Sequence, residues 1–370
     1  MAIISSEQLK NCQRLLFISP FALGDFLYLK TFLIALKATY PHIEIDIWLD
    51  DNRCNQDSWR ISRSKILQQW IAAESSFNDS YGCTDSVVAR DQQILTAKQQ
   101  QYDIVICHSP AGRASQFSKI ARCIAPKGFI VSSITSPLYN GLLNWWLLKG
   151  SDKVYTLDPQ SLPKNHHITD RFHAVIHDIC GISINKNNFT PELNIPSSVA
   201  PITQKWLRSQ FSEPYTQGKL IFLNHLSTNI KKDWHLEQLF ELIQKIATTD
   251  NSQRFIINVT KENYDEVLAA TDSFKTKTQL AVAVFTVQNH FFELPSLIAS
   301  SDFVITVDTA ILHFAYAANR PLLAMMRTKK PYWSPPQSKT AHVMYATMGK
   351  GYVADISVDS IYKQYLEMNN

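Results

Sequence analysis

The sequence predicts an α/β protein made of two Rossmann-like domains, and three observations carry that expectation. Short apolar runs alternate with longer segments whose apolar residues recur at helical spacing, the pattern of parallel strands joined by crossover helices. The alternation occurs as two series, parted by the polar, proline-containing stretch 185–198. The length, 370 residues, fits two domains at roughly 100–200 residues each.

In the first series, Leu15 to Ile18 reads as a buried strand, after which Phe26, Leu29, Leu33 and Leu36 share one helical face. Ile43, Ile45, Ile47 and Leu49 alternate as a second strand, and Asp103 to Cys107 and Phe129 to Val131 read as two more. In the second series the strands are Leu220 to Leu223, Phe255 to Val259, Ala281 to Phe285, Phe303 to Val307 and Leu322 to Met325. Between them, Leu236, Leu239, Phe240, Ile243 and Ile246 form one helical stripe, and Leu294, Leu297 and Ile298 another. The domains are expected at 1–190 and 200–340, with 341–370 as a C-terminal segment.

Composition narrows the class. Hydrophobic residues make up 45% and charged residues 18%, enough apolar material for packed cores and unlike a disordered chain. The net charge of +4 is small and its Lys and Arg are scattered, which argues against nucleic acid as a partner. Six cysteines form no C-x-x-C pair, as expected of reduced thiols in a cytoplasmic protein without a structural zinc. Met1 to Glu7 lacks a basic region followed by an apolar core, so no signal peptide is expected. The apolar-rich window Leu138 to Leu148 is broken by Asn140, Gly141 and Asn144 and falls short of the roughly 20 residues that span a bilayer. Pro137 to Lys149 could instead lie at a membrane surface through Trp145, Trp146 and Lys149, or form a buried helix.

Paired Rossmann-like domains are expected to place their chemistry in a cleft beyond the carboxyl ends of the strands. Asp308 and Thr309 follow a buried strand, and Ile311, Phe314, Ala315 and Ala318 give the next segment a helical face. The exposed N–H groups and partial positive charge of such a helix start suit a phosphate, with the Thr309 hydroxyl as a further donor. Equally, Asp308 could be a simple N-cap and His313 a packed helix residue. A second strand-to-helix loop carries Ser227, Thr228, Lys231 and Lys232, whose hydroxyls and ammonium groups could neutralise a departing diphosphate or be ordinary surface groups. Gly24 and Asp25 stand where the first strand turns into its helix, and the Asp25 carboxylate is either a general base or an N-cap. After another strand, Glu262 could hold ribose hydroxyls or be solvated surface charge.

Other chemistries find little support. The one G-x-G, Gly349-Lys350-Gly351, is near the C-terminus, and neither a dinucleotide fingerprint nor a P-loop is present. Asn165-His166-His167 lacks a third ligand at a recognisable spacing, no G-x-S-x-G elbow occurs, and Cys107 has no case as a nucleophile. Neither a metal nor another cofactor is expected.

Taken in order from about Leu15 to Pro336, these segments resemble the ADP-heptose lipopolysaccharide heptosyltransferases, glycosyltransferase family 9. The resemblance rests on Gly24-Asp25, the strand after Tyr40-Pro41, Tyr102 to Ile106, His167 to Gly181, the loop reaching Lys232-Asp233-Trp234, and Asp308 to His313. It implies two facing Rossmann-like domains of the glycosyltransferase B type, with 341–370 packing back on the first. It also implies inverting transfer of a heptose from ADP-heptose to a lipid-linked core sugar on the inner face of the inner membrane. Asp25 then matches the catalytic base, and Ser227, Thr228 and Lys232 the phosphate-side loop. Glu262 matches the ribose contact, Thr309, Ala310 and Ile311 the diphosphate-binding helix start, and Asp308 and His313 complete that motif. Lys232 and the helix start would stabilise the departing diphosphate without a metal.

The chain departs from the family where Ala310 replaces a glycine, where Ser19 stands in place of a basic residue, and at Leu226-Ser227 and Met326 to Thr328. Those departures leave two other readings in view: a transferase using another nucleotide sugar or a protein acceptor, and a non-catalytic nucleotide-sugar-binding protein.

Overall fold

The computed structural model describes residues 2–369 apart from 83, 110, 136–143, 212–217, 329–330 and 337. The chain divides into two units, Met1–Pro191 and Glu192–Asn370, each built on a six-stranded sheet. In the first unit the elements run α1 (Ser6–Asn11), β1 (Arg14–Ile18), α2 (Leu23–Thr39), β2 (Glu44–Trp48), α3 (Ser58–Ala73), β3 (Ser80–Tyr81) and α4 (Val87–Lys98). They continue with β4 (Ile104–His108), α5 (Ala111–Ile124), β5 (Phe129–Ile134), α6 (Asn144–Leu147), β6 (Lys153–Thr156) and α7 (Ile168–Cys180). Of the stretch 137–149, residues 137–143 lie outside the described residues and α6 is the short helix that follows them.

The second unit contains α8 (Ala200–Gln210), β7 (Leu220–Asn224), α9 (Leu236–Thr249), β8 (Arg254–Asn258), α10 (Tyr264–Thr278) and β9 (Ala281–Phe285). Then come α11 (Glu293–Ala299), β10 (Phe303–Val307), α12 (Ala310–Ala317), β11 (Leu322–Arg327), β12 (Ala341–Ala346) and α13 (Val358–Asn369).

Both sheets are parallel throughout and share one topology. The first has the order β3-β2-β1-β4-β5-β6 and the second β12-β11-β10-β7-β8-β9, so each is the doubly wound Rossmann order. Strand order reverses between β1 and β4 in one sheet and between β7 and β10 in the other, which marks the carboxyl ends of those strands as ligand sites. Fully buried runs such as Leu220 to Asn224 and Phe303 to Val307 are what a parallel sheet covered on both faces requires.

Helix ends follow local chemistry. α7 opens on His167, whose side chain accepts the Thr169 N–H while Asp170 takes the His167 N–H in return. It closes on Gly181 in the left-handed region at φ 72, a conformation a side chain would strain. In α2, Phe26, Leu29, Leu33 and Leu36 are all buried, but so are Leu27, Tyr28 and Lys30, because α3 and α7 pack against the helix as well. Lys30 is neutralised there by a buried ion pair with Glu74, which also accepts from Trp70 Nε1 at 3.1 Å.

The segment 341–370 belongs to the second unit. Ala341–Ala346 is an edge strand of the second sheet, paired with β11 along its length. Val358, Ile361 and Tyr365 of α13 enter the second core, and α13 lies against α9. Trp234, 1% exposed, donates from Nε1 to the Ile356 carbonyl at 3.1 Å and ties this segment to the start of α9. Truncating Trp234 to alanine would cost about 3–5 kcal/mol.

Candidate functional site

At the topological switch point of the second sheet, Asn224 ends β7 and Thr306 lies near the end of the neighbouring β10. Beyond β10, Thr309 is the N-cap of α12 and its hydroxyl oxygen accepts the Ile311 N–H at 3.3 Å. The cap is therefore Thr309 rather than Asp308. Asp308 forms an ion pair with Lys232, Nζ to Oδ2 at 2.7 Å, bringing the two expected loops together. Lys232 ends a short 3₁₀ turn, Ile230–Lys232, and its side chain is 35% exposed, against 20% for that of Asp308.

That turn is held by its own side chains. The backbone N–H and hydroxyl of Ser227 both donate to Asp233 Oδ1, at 2.6 and 2.7 Å, and the hydroxyl also lies 2.9 Å from the Asn229 carbonyl. Ser227 thus clasps the loop internally, while Thr228 is exposed beside it. His225 is buried, with Nδ1 at 2.9 Å from the Trp234 carbonyl, and burial holds its imidazole below the usual histidine range. Lys231 turns to the Tyr352 ring, 5.8 Å from its centroid, where Arg327 also stacks at 5.7 Å.

The remaining expected residues of this unit occupy different settings. Ala310 is half-buried at the first helical position, and the Ile311 N–H is engaged by the Thr309 cap. His313 is buried, its ring 5.9 Å from Trp333, as a packed helix residue would be. Glu262 is exposed in the 3₁₀ turn after β8, the strand next to β7, and a hydrogen bond from Thr260 lowers its carboxyl below the usual range.

In the first unit, Asp25 sits in the first turn of α2, where its carboxylate accepts the Ala22 N–H at 3.0 Å. Ala22 is the cap, so Asp25 is neither the N-cap nor remote from the strand end. Ser19, in place of a basic residue, is buried, and its N–H bonds the Trp48 carbonyl at 3.0 Å.

A cluster the sequence reading passed over lies beyond β2. Asp51 receives Arg53 at 2.6 Å, Arg60 at 2.6 Å and Arg63 at 3.4 Å, and Arg60 reaches Asp50 at 2.6 Å as well. Arg113 donates to the Asp51 carbonyl at 3.1 Å. Burial would raise the Asp51 carboxyl, but the guanidinium hydrogen bonds bring it down to about 2. Arg53 and Arg63 flank the ring of Trp59 at 5.0 and 4.8 Å, and the Asp25 charge acts on Arg63. Four guanidiniums against Asp50 and Asp51 leave a positive surplus. Asp50-Asp51 directly follows a strand, so the strand-end rule could have found it.

Asn224 was likewise missed as a site residue. Among the described residues no group of three or more His, Cys, Asp or Glu stands where it could hold a metal ion. Among them, too, no helix is long and apolar enough to cross a membrane.

Residues 156–358 match the pattern of glycosyltransferase family 9 (heptosyltransferase), more than half of the chain. No curated protein matches the chain. Its structure is similar to that of E. coli ADP-heptose lipopolysaccharide heptosyltransferase II, with a TM-score of 0.70 at 18% identity over 96% of this chain and 98% of that one. It is similar also to a glycosyl transferase family 9 protein from Veillonella parvula, with a TM-score of 0.72 at 16% identity over 97% and 98%. For E. coli heptosyltransferase WaaC with ADP-2-deoxy-2-fluoro heptose the TM-score is 0.62 at 16% identity, over 96% and 100%. At such identities these likenesses carry the fold, the two-domain α/β architecture of the glycosyltransferase B type. With the family pattern covering more than half its length, the chain belongs to glycosyltransferase family 9, the heptosyltransferase family, and is a glycosyltransferase.

Proposed function

We propose that the enzyme transfers a heptose from ADP-heptose to a lipid-linked lipopolysaccharide core acceptor of the lipid A–Kdo type, inverting the anomeric centre. The observation that carries this reading is the Lys232–Asp308 pair beside the Thr309-capped helix start, at the switch point of the second sheet. A cation and a helix N-terminus together suit a nucleoside diphosphate; Thr228 follows β7, Ala310 follows β10 and Glu262 follows the adjacent β8, which makes them candidates for further donor contacts. Solved relatives with ADP-2-deoxy-2-fluoro heptose and with ADP make ADP-heptose the first donor to test.

In the reaction the acceptor hydroxyl oxygen bonds to the anomeric carbon as the bond from that carbon to the phosphate oxygen breaks. Its electron pair leaves with ADP, and the acceptor proton passes to the Asp25 carboxylate. Lys232 and the start of α12 stabilise the growing diphosphate charge, a role that needs no metal. The guanidinium surplus beyond β2 favours an anionic acceptor. Such an acceptor would draw the protein to the inner face of the inner membrane as a peripheral enzyme.

The test is to incubate the purified protein with ADP-heptose and heptose-deficient lipopolysaccharide and to weigh the product. Transfer supports the reading; neither transfer nor ADP binding defeats it. Ala310, where relatives carry glycine, supports a second reading in which another nucleotide sugar is the donor. A donor panel read by mass spectrometry separates the two.

A further inference from the structure

Asn224 is 3% exposed and its amide is engaged at both ends. Its Nδ2 faces three acceptors, the Leu226 carbonyl at 3.1 Å, Thr306 Oγ1 at 3.2 Å and Thr309 Oγ1 at 3.4 Å, so one of its two hydrogens is shared between two of them, while its Oδ1 accepts from Asn258 Nδ2 at 3.0 Å. A carbonyl oxygen can only accept, so Leu226 fixes which end of the amide carries the hydrogens. Thr306 donates its single proton to the Val307 carbonyl at 2.9 Å, so toward Asn224 it accepts. The Thr309 oxygen accepts twice, from Asn224 and from the Ile311 N–H at 3.3 Å. With both lone pairs turned to protein donors, its own hydrogen points away from them.

We infer that Asn224 is a positioning residue of the donor site: by donating to the Thr309 hydroxyl it presents the Thr309 proton outward, to an oxygen of the nucleotide-sugar diphosphate. The inference rests on the donor role proposed above for the start of α12. It explains why a buried amide, rather than a carboxylate of the same shape, suits this strand end. An aspartate at 224 accepts where the amide donates, so the Thr309 proton swings inward and a negative charge stands beneath the phosphate.

The experiment is a double-mutant cycle on the full chain, with ADP affinity measured by titration calorimetry for the wild type, Asn224→Asp, Thr309→Val and the double variant. Asn224→Asp is expected to weaken ADP binding about tenfold or more in the wild-type background, and by a factor at least about threefold smaller when Thr309 is Val. It should also raise the donor KM more than it lowers kcat. Equal factors in the two backgrounds, with wild-type ADP binding intact, overturn the inference and leave the donor reading standing. A wild type that binds no nucleoside diphosphate overturns both. Should Asn224→Asp unfold, Asn224→Ser in the same cycle decides: a loss that shrinks without the Thr309 hydroxyl supports the inference, and an undiminished one overturns it.

Discussion

Lys232 Nζ lies 2.7 Å from Asp308 Oδ2, so the cation expected to meet a diphosphate is held in place by the residue that leads into the α12 cap. With side chains 35% and 20% exposed, the pair is partly screened and contributes about 1 kcal/mol or less to stability. Lys232→Ala should therefore leave the melting temperature nearly unchanged while lowering turnover about 100- to 1000-fold and weakening ADP binding. Calorimetry and a transfer assay on the same preparation check both halves. A variant that loses stability but keeps turnover would make the pair structural.

Asp25→Asn keeps an oxygen for the Ala22 N–H and removes the base. Turnover is expected to fall about 100- to 10,000-fold, with ADP affinity and unfolding midpoint close to wild type. Loss of ADP affinity in place of turnover would reject the base assignment.

Removing the Asp51 side chain leaves Arg60, 3% exposed, with Asp50 as its remaining carboxylate and strips Arg53 and Arg63 of theirs. Asp51→Ala should cost about 3–5 kcal/mol in urea unfolding. The wild-type carboxyl lies at about 2 against an ordinary 3.8, so its stabilisation is complete above pH 3.8 and fades as pH falls toward 2. Acid unfolding curves of the variant should lack that part of the limb.

His167 caps α7 through a neutral ring nitrogen, and burial lowers its imidazole from 6.5 to about 4. Protonation would remove the acceptor for the Thr169 N–H and put a positive charge at a helix N-terminus. Between pH 4 and 6.5 the unfolded chain holds a proton that the folded chain lacks, so stability rises with pH across that window and is complete above it. One such proton is worth about 1.4 kcal/mol per pH unit. His167→Asn, which retains a capping side chain, should flatten this slope in unfolding titrations at several pH values.

Much of the fold was legible because a buried parallel strand is a continuous apolar run. β1, β2, β4, β5 and β7 to β11 all lie where those runs predict. β3 spans Ser80–Tyr81 and gives no pattern at that length, β6 is an edge strand with no fully buried residue, and β12 mixes buried with half-buried positions. The residues at the second unit's strand ends were legible from type and placement, but their partners were not. That Ser227 bonds Asp233, that Thr309 rather than Asp308 caps α12, and that Asn224 links three strand ends depend on side-chain directions that spacing does not encode. The arginines around Asp51 escaped notice because they are spread along a loop and two helices and meet only when folded.

The hook from Trp234 to Ile356 bears on how the chain matures during synthesis. All strands of the first sheet lie within the first 191 residues, so that unit has its full set of strands while the remainder is still being translated. The second sheet acquires its edge strand at 341–346 and its closing helix at 358–369, so the second unit stays incomplete until those late residues have been made. A stop codon shortly after residue 340 would then yield a finished first half joined to a sheet with a bare edge, a species prone to aggregation.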